Sequence, residues 1–131
     1  QREFPGRFTC GVAFNHYEPV EQEMEKLRRK LEAGASFVIT QPVVCCDQGL
    51  SAIASLSVPV WAGAWMSKRI DLLLACVGTA GPAELPPYDP YANLAALQAA
   101  YPDFGIYLSM IPFKRDWGSF LTRAAAAGKV A

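Results

Sequence analysis

Four short apolar segments alternate along the chain with longer segments in which apolar residues recur at helical spacing. The apolar segments are rich in β-branched and aromatic residues and are bounded by Gly, Pro or polar clusters, which is typical of strands. The predicted strands are residues 8–14, 36–41, 58–64 and 105–111. The predicted helices are residues 20–33, 47–56, 67–77, 89–100 and 116–127. Strands and helices that alternate in this way indicate βα units and a parallel sheet.

The first predicted helix has the clearest amphipathic pattern. One face carries Val20, Met24, Leu27 and Leu31, at steps of four, three and four. The opposite face is acidic early and basic late, as the helix dipole favours, and Glu25 lies at the i,i+4 spacing from Arg29. Gly34 follows the last apolar position, and a glycine there predicts a left-handed C-cap.

The second predicted strand ends in a polar side chain. Pro42 has no N–H to donate to a ladder, so we expect the strand to stop before it. Gln41 is then left at the carboxyl end of a parallel strand, where barrels and open α/β sheets bind their ligands. Gln41 is therefore a candidate binding residue, and the alternative is a strand-end residue that ties down a loop.

The length of the chain limits the architecture. A chain of 131 residues is predicted to form a single α/β domain over residues 1–131. A closed (β/α)₈ barrel needs eight strands and roughly 250 residues, and only four strands are predicted here. The chain is therefore either a small open α/β sheet or half of a TIM-type barrel, and the pattern alone slightly favours the open sheet.

Charge and cysteine content exclude several classes of partner. Twelve basic and twelve acidic residues give no net charge, so neither a nucleic acid nor a membrane is expected as a partner. The four cysteines lack the C-x-x-C spacing of a metal site, and we expect buried, free thiols: Cys10, Cys45, Cys46 and Cys76. No apolar run reaches the ~20 residues of a spanning helix and no signal peptide is visible, so a cytoplasmic setting is expected.

Three segments together resemble the methylenetetrahydrofolate reductases: residues 11–15 (GVAFN), 30–35 (KLEAGA) and 37–42 (FVITQP). The resemblance is strong over residues 8–77 and weak beyond them. It implies half of a (β/α)₈ barrel, strands five to eight, with FAD on the carboxyl ends of the strands. In that family the electron donor, a reduced nicotinamide or another molecule, stacks on the flavin first, and the folate then stacks in the same place. The first half of the family's barrel, which supplies the catalytic acid, has no counterpart in this chain.

The resemblance also implies roles for single residues. Two are expected to bind substrate: Gln41, whose amide both donates and accepts, and Arg115, for the folate carboxylate. Four are expected to contact FAD: Asn15, Glu23, Arg29 and Lys30. For Lys30 the alternative is an ordinary solvated helix charge, and His16 is interpreted as a loop residue.

The expected function is FAD-dependent reduction of 5,10-methylenetetrahydrofolate to 5-methyltetrahydrofolate, with this chain supplying half of the site. Four carboxylates lie near predicted strand ends: Glu18, Asp47, Asp71 and Asp116. None of them has apolar sequence neighbours that would raise its pKa, so no catalytic residue is assigned. The isolated chain is therefore predicted to be inactive. We expect its strand edges to be covered by a second copy or by a chain that carries the N-terminal half-barrel. The alternative is a non-catalytic folate- or flavin-binding or structural half-barrel.

Overall fold

The computed structural model describes residues 8–44, 48–78, 87–109 and 116–127. The strands are β1 (Gly11–Phe14), β2 (Phe37–Val43), β3 (Val60–Trp65) and β4 (Gly105–Ser109). The helices are α1 (Val20–Glu32), α2 (Gln48–Ile53), α3 (Ile70–Val77), α4 (Pro90–Ala100) and α5 (Trp117–Ala127). The predicted order of strands and helices is confirmed.

The four strands form one parallel sheet in the order β1-β2-β3-β4. Side chains alternate between the two faces of a strand, and on each strand one set points into the main core. This core joins the sheet to α1, α2, α4 and α5 through Leu27, Leu50, Ile53, Leu94, Leu97 and Phe120. The four helices therefore cover one face of the sheet. Helix α3 packs instead in a smaller cluster around Trp65, at the carboxyl end of β3.

The expectation that β2 stops before Pro42 is wrong. The strand continues to Val43, and its register against β3 shifts between Ile39 and Pro42. One extra residue is accommodated there, as in a β-bulge, and bulges are places where a strand tolerates proline. Gln41 therefore lies inside the strand, at the bulge, and not after its end.

Two glycines and one aspartate mark helix ends in the structure, whereas α2 ends at Ile53 and not at residue 56 as predicted. Gly34 follows the C-cap of α1 and has a φ of 104°, and Gly78 ends α3 with a φ of 73°. Asp89 caps α4 by accepting the N–H of Tyr91, at 2.9 Å. Ser67 does not cap α3, because its hydroxyl accepts the N–H of Arg69 and the helix begins only at Ile70.

The cysteine prediction is partly corrected. Cys10 and Cys76 are free thiols, as expected, but both are exposed. Cys10 immediately precedes β1, and Cys76 lies on the outer side of α3, so neither reaches a core. Cys45 and Cys46 lie outside the described residues. Within the described ranges, no helix has both the length and the apolar character needed to cross a membrane.

The second face of the sheet is lined by aromatic residues and glycines that are paired across neighbouring strands. Phe37 lies opposite Gly11, Trp61 opposite Gly105, and Tyr107 opposite Gly63. A Cβ atom added at any of these glycines would lie 2.1–2.5 Å from the facing ring. Each ring thus lies over the bare backbone of the next strand, a packing known to support glycines in sheets. These rings are not part of the main core, and no described helix of that core packs against them.

Candidate functional site

The loop after β1 is held by its own side chains and by β2. The backbone N–H of Tyr17 donates to Asn15 Oδ1 at 3.2 Å, and the N–H of Glu18 donates to the Asn15 carbonyl at 3.1 Å. The Tyr17 hydroxyl donates to the Pro42 carbonyl at 2.7 Å, near the carboxyl end of β2. His16 is buried in this loop, and its ring centroid is 4.1 Å from that of Tyr17. These contacts fix Asn15 at the carboxyl end of β1.

One side of α1 carries charged groups along the outer edge of β1. Glu23 is only 5% exposed and accepts the Asn15 backbone N–H at 3.2 Å and Lys26 Nζ at 2.6 Å. Lys30, two turns later, donates from Nζ to the Ala13 carbonyl at 3.0 Å. We call Asn15, Glu23, Lys26 and Lys30 the edge cluster. It brings together three of the four residues predicted to contact a cofactor.

The edge cluster keeps Glu23 ionised. Burial alone would raise the pKa of Glu23, but the hydrogen bonds from Lys26 and from the Asn15 N–H, together with the charges of Lys26 and Lys30, outweigh burial and lower it. A carboxylate with two neighbouring ammonium groups gives the cluster a net positive charge at neutral pH. The amines of Lys26 and Lys30 could therefore attract a phosphate or pyrophosphate group.

The structure does not bring Arg29 into the edge cluster. Its guanidinium lies on the solvent side of α1, 3.6 Å from Glu25, as the i,i+4 spacing predicted. Arg28 also pairs with Glu25, at 3.0 Å, so this side of the helix is a network of exposed ion pairs. Arg29 and Lys30 are neighbours in sequence but point in different directions around the helix.

Gln41 lies in the bulge of β2 and is half-buried. Its side chain makes no hydrogen bond to any other described residue, although its carbonyl accepts the Thr40 hydroxyl at 2.7 Å. Thr40 Oγ1 in turn accepts the N–H of Gly63 at 3.2 Å, in place of a ladder bond at the bulge. The amide of Gln41 is therefore available for a ligand, while Thr40 maintains the link to β3.

Two further side chains support the bulge from other elements. The Tyr107 hydroxyl of β4 donates to the Thr40 carbonyl at 2.7 Å, and burial raises the pKa of that hydroxyl. Asn93 Nδ2 of α4 donates to the Val43 carbonyl at 2.9 Å and is buried. Sequence reasoning missed Thr40, Tyr107 and Asn93. The proline within an apolar strand was the one signal of a bulge here.

A cavity of about 570 Å³ lies beyond the carboxyl end of β3, between the first turns of α4 and α5. Lys68, Asp89, Asp116 and Arg123 contribute charged groups to its lining. Arg123 lies over the ring of Tyr91, 4.1 Å from its centroid. Both helix starts already hold a carboxylate, since Asp89 caps α4 and Asp116 accepts the N–H of Gly118.

Two of the described carboxylates near a strand end, Asp71 and Asp116, have a lowered pKa. The Arg69 guanidinium lowers the pKa of Asp71, chiefly through a direct hydrogen bond. Two hydrogen bonds from Ser119 lower the pKa of Asp116, and the bond from the side chain has a larger effect than the bond from the backbone. Glu18 is exposed in the loop after β1. Asp47 and the predicted substrate residue Arg115 lie outside the described residues.

Within the described part of the chain, no three His, Cys, Asp or Glu side chains lie close enough together to hold a metal ion. Comparison of the chain with protein-family models, with curated proteins and with solved structures finds no match.

Proposed function

We propose that the carboxyl edge of this sheet is half of a flavin and folate site of the methylenetetrahydrofolate reductase type. One observation carries the proposal. Three residues that the family resemblance implies for FAD binding, Asn15, Glu23 and Lys30, meet beside one strand end. Glu23 and Lys30 lie two turns apart on one face of α1, and the loop after β1 brings the Asn15 N–H to that face.

The edge cluster fits the adenine-nucleotide part of FAD. Lys30 and Lys26 provide ammonium donors for the pyrophosphate, and charge-assisted hydrogen bonds of this kind are about twice as strong as neutral ones. Glu23 is fixed as an ionised acceptor by Lys26 and by the Asn15 N–H. It would hold the two lysines near the strand end and accept from a ribose hydroxyl. Bound FAD would supply the hydride-transfer chemistry.

Gln41 would bind the substrate on the neighbouring strand. Its half-buried amide has no hydrogen bond to another described residue, so both its donor and its acceptor remain available to a pterin or carboxamide edge. The bulge held by Thr40 and Tyr107 fixes the backbone from which this amide projects. Fixing the backbone lowers the entropy that is lost when the substrate binds.

A non-catalytic folate- or flavin-binding module is the second candidate. It is favoured by the described carboxylates, because the shifted ones at strand ends have lowered pKa values and are poor proton donors at neutral pH. Under both candidates the purified chain binds flavin but does not reduce methylenetetrahydrofolate. Turnover by the purified chain in an anaerobic assay with added FAD and reduced nicotinamide would exclude the second candidate and would also contradict the prediction that the isolated chain is inactive.

Flavin binding by matched variants tests the proposal. FAD is titrated into the purified chain, and the quenching of its fluorescence gives a dissociation constant for the wild type, Lys30→Gln and Arg29→Gln. Loss of the Lys30 charge is expected to weaken binding by about tenfold or more, as removal of a charged hydrogen-bond donor does.

Arg29→Gln removes the same charge from the adjacent position, on the side of α1 that faces solvent. It is expected to change the dissociation constant by less than about twofold, as exposed charges contribute little. Two results would contradict the proposal: no flavin binding by the wild type, or equal weakening by both variants. Thermal unfolding of each variant shows that the change lies in the binding and not in the fold.

A further inference from the structure

The cavity beyond the carboxyl end of β3 is lined by two cations from separate elements. Lys68 follows β3, and Arg123 lies in the second turn of α5. Within the described part of the chain, neither side chain forms an ion pair. By contrast, the solvent-facing cations of α1, Arg28 and Arg29, both pair with Glu25. The two cations of the cavity therefore differ from those of α1 in having no carboxylate partner.

The two carboxylates that line the same cavity are bound to their own helices. Asp89 accepts backbone N–H groups at the start of α4, and Asp116 accepts those at the start of α5. The Ser119 hydroxyl also donates to Asp116, and its bond is the largest cause of the lowered pKa of that carboxyl. Each helix start carries roughly half a positive charge, which offsets part of the charge of its carboxylate. Lys68 and Arg123 therefore leave the cavity with a net positive charge.

The guanidinium of Arg123 is held in place without using its hydrogen-bond donors. It lies over the Tyr91 ring, 4.1 Å from the centroid, and that ring lies 6.2 Å from the ring of the buried Phe120. No hydrogen bond to another described residue uses the five N–H donors of Arg123. A guanidinium presents these donors as a rigid fork that matches phosphate and carboxylate oxygens. Holding the fork in place lowers the entropy that is lost when an anion binds.

The cavity is much larger than a single anionic group. Its volume is about 570 Å³, and small-molecule sites usually have volumes of roughly 300–1,000 Å³. Part of its wall is apolar, because Met66 and Phe120 are buried residues that line it. Tyr88 lines it as well, and its hydroxyl donates to the Trp65 carbonyl at 2.7 Å, which fixes the ring. A ligand that fills this space therefore has an organic part beside its charged group.

We infer that this cavity binds a small organic phosphate, with Arg123 and Lys68 on the phosphate oxygens and the organic part against Met66 and Tyr88. A phosphate monoester carries a charge of about −1.5 to −2 at pH 7, which matches two cations better than the single charge of a carboxylate does. Arginine binds phosphate through its fork and lysine binds it as a point charge. The site shares no residue with the edge cluster or with Gln41, so it goes beyond the proposed function.

Calorimetric titration of the full chain with phenyl phosphate tests the inference. The wild type is expected to bind one molecule per chain, and Arg123→Gln should weaken binding by about tenfold or more, as loss of a charged hydrogen-bond donor does. Lys68→Gln is expected to weaken binding by about threefold or more, because it removes one of the two cations. Arg69→Gln is the matched control, since Arg69 is an exposed cation that pairs with Asp71 and does not line the cavity. It should change the dissociation constant by less than about twofold.

Acetate and inorganic phosphate identify the group that is recognised. Inorganic phosphate should bind more weakly than phenyl phosphate, because it lacks the organic part, and its binding should also depend on Arg123. Acetate should bind at least about tenfold more weakly than phenyl phosphate, because it carries a single charge. Acetate binding as tight as that of phenyl phosphate would overturn the assignment of a phosphate site.

Two further results would overturn the inference: no saturable binding of phenyl phosphate, or equal weakening by Arg123→Gln and Arg69→Gln, which would mean an adventitious ion only. Thermal unfolding shows whether each variant is folded, and Lys68→Gln decides the matter if Arg123→Gln is not. The result is independent of the flavin site. Arg123→Gln should change the dissociation constant of FAD by less than about twofold, and failure of the wild type to bind FAD would leave the phosphate site standing.

Discussion

At the scale of single residues, Thr40 connects the bulge of β2 to the rest of the sheet. Its buried hydroxyl accepts the Gly63 N–H and donates to the Gln41 carbonyl, and its own carbonyl accepts the Tyr107 hydroxyl. A hydroxyl replaces the backbone bond that the extra residue removes. The position of Gln41 depends on this arrangement.

Thr40→Val should therefore destabilise the chain although the side chain keeps its shape. The Gly63 N–H would stay buried without its acceptor, which costs about 1–3 kcal/mol of unfolding free energy. Thr40→Ser retains the hydroxyl and should lose less. Urea unfolding of both variants measures the difference, and equal stability of the valine variant and the wild type would show that the bond contributes nothing.

The edge cluster should make stability depend on pH. The lowered pKa of Glu23 means that its ionised form is favoured by folding. This stabilisation is fully present above the unfolded value of about 4.5 and is lost as the pH falls through the lower folded value. Glu23→Gln should be less stable than the wild type at pH 7, and this difference in stability should become smaller below pH 4.5.

Unfolding midpoints of the two proteins, measured from pH 3 to pH 8, test this expectation. Glu21→Gln is the control, because Glu21 is an exposed residue on the same helix. Its unfolding midpoint at pH 7 should stay close to that of the wild type, because a single exposed charge contributes little to stability. A gap for Glu23→Gln that stays constant down to pH 3 would mean that Glu23 acts through packing and not through its charge.

The residues of the candidate site could be predicted only in part. Asn15, Glu23 and Lys30 were expected from the family resemblance, and the structure brings them to one strand end. Arg29 was expected with them, but a step of one residue turns a side chain about 100° around a helix. Thr40 and Tyr107 were missed, because their contact depends on how three strands are aligned, which no local pattern determines.

At the scale of elements, helix ends were predicted better than strand ends. Gly34, Gly78 and Asp89 act within one turn of their own helices, so their effect can be read from neighbouring residues. The end of β2 depends on β3, since Gly63 supplies the N–H that Thr40 accepts. Local chemistry therefore predicted the helices, and pairing between strands decided where β2 ends.

The aromatic–glycine pairs between strands predict a sharp difference between two glycines. Gly63→Ala would place a Cβ 2.5 Å from the Tyr107 ring and displace the hydroxyl that binds the Thr40 carbonyl. Overpacking of this kind costs about 1–3 kcal/mol. The Cβ added by Gly118→Ala in α5 would lie no closer than 3.4 Å to any neighbouring atom, so this substitution should stabilise the helix by about 0.5 kcal/mol.

Thermal unfolding of the two alanine variants tests this contrast. The melting temperature of Gly63→Ala should fall, and that of Gly118→Ala should rise slightly or stay level. If Gly63→Ala had the same melting temperature as the wild type, the Tyr107 ring would have to move without any cost in stability. The close packing of rings over glycines would then not stabilise the sheet.

At the scale of the whole molecule, the chain is a singly wound parallel sheet with its core helices on one side. Four strands and their parallel arrangement could be predicted from the alternation of apolar and amphipathic segments. The pairing of aromatic residues with glycines on the face opposite the core helices could not, because it depends on register between strands. That pairing determines which large side chains lie on that face.

The central claim is the proposal that the carboxyl edge of the sheet binds flavin and folate, and amide chemical shifts test it most directly. Proton–nitrogen correlation spectra of the labelled chain are recorded while FAD, and then 5-methyltetrahydrofolate, is added. The largest shifts are expected at the carboxyl edge, at Asn15, Tyr17, Lys30 and Gln41. The amides of Ser36 and Gly105, at the amino edge, should stay unchanged. Shifts concentrated at the amino edge, or no shifts with either ligand, would contradict the account.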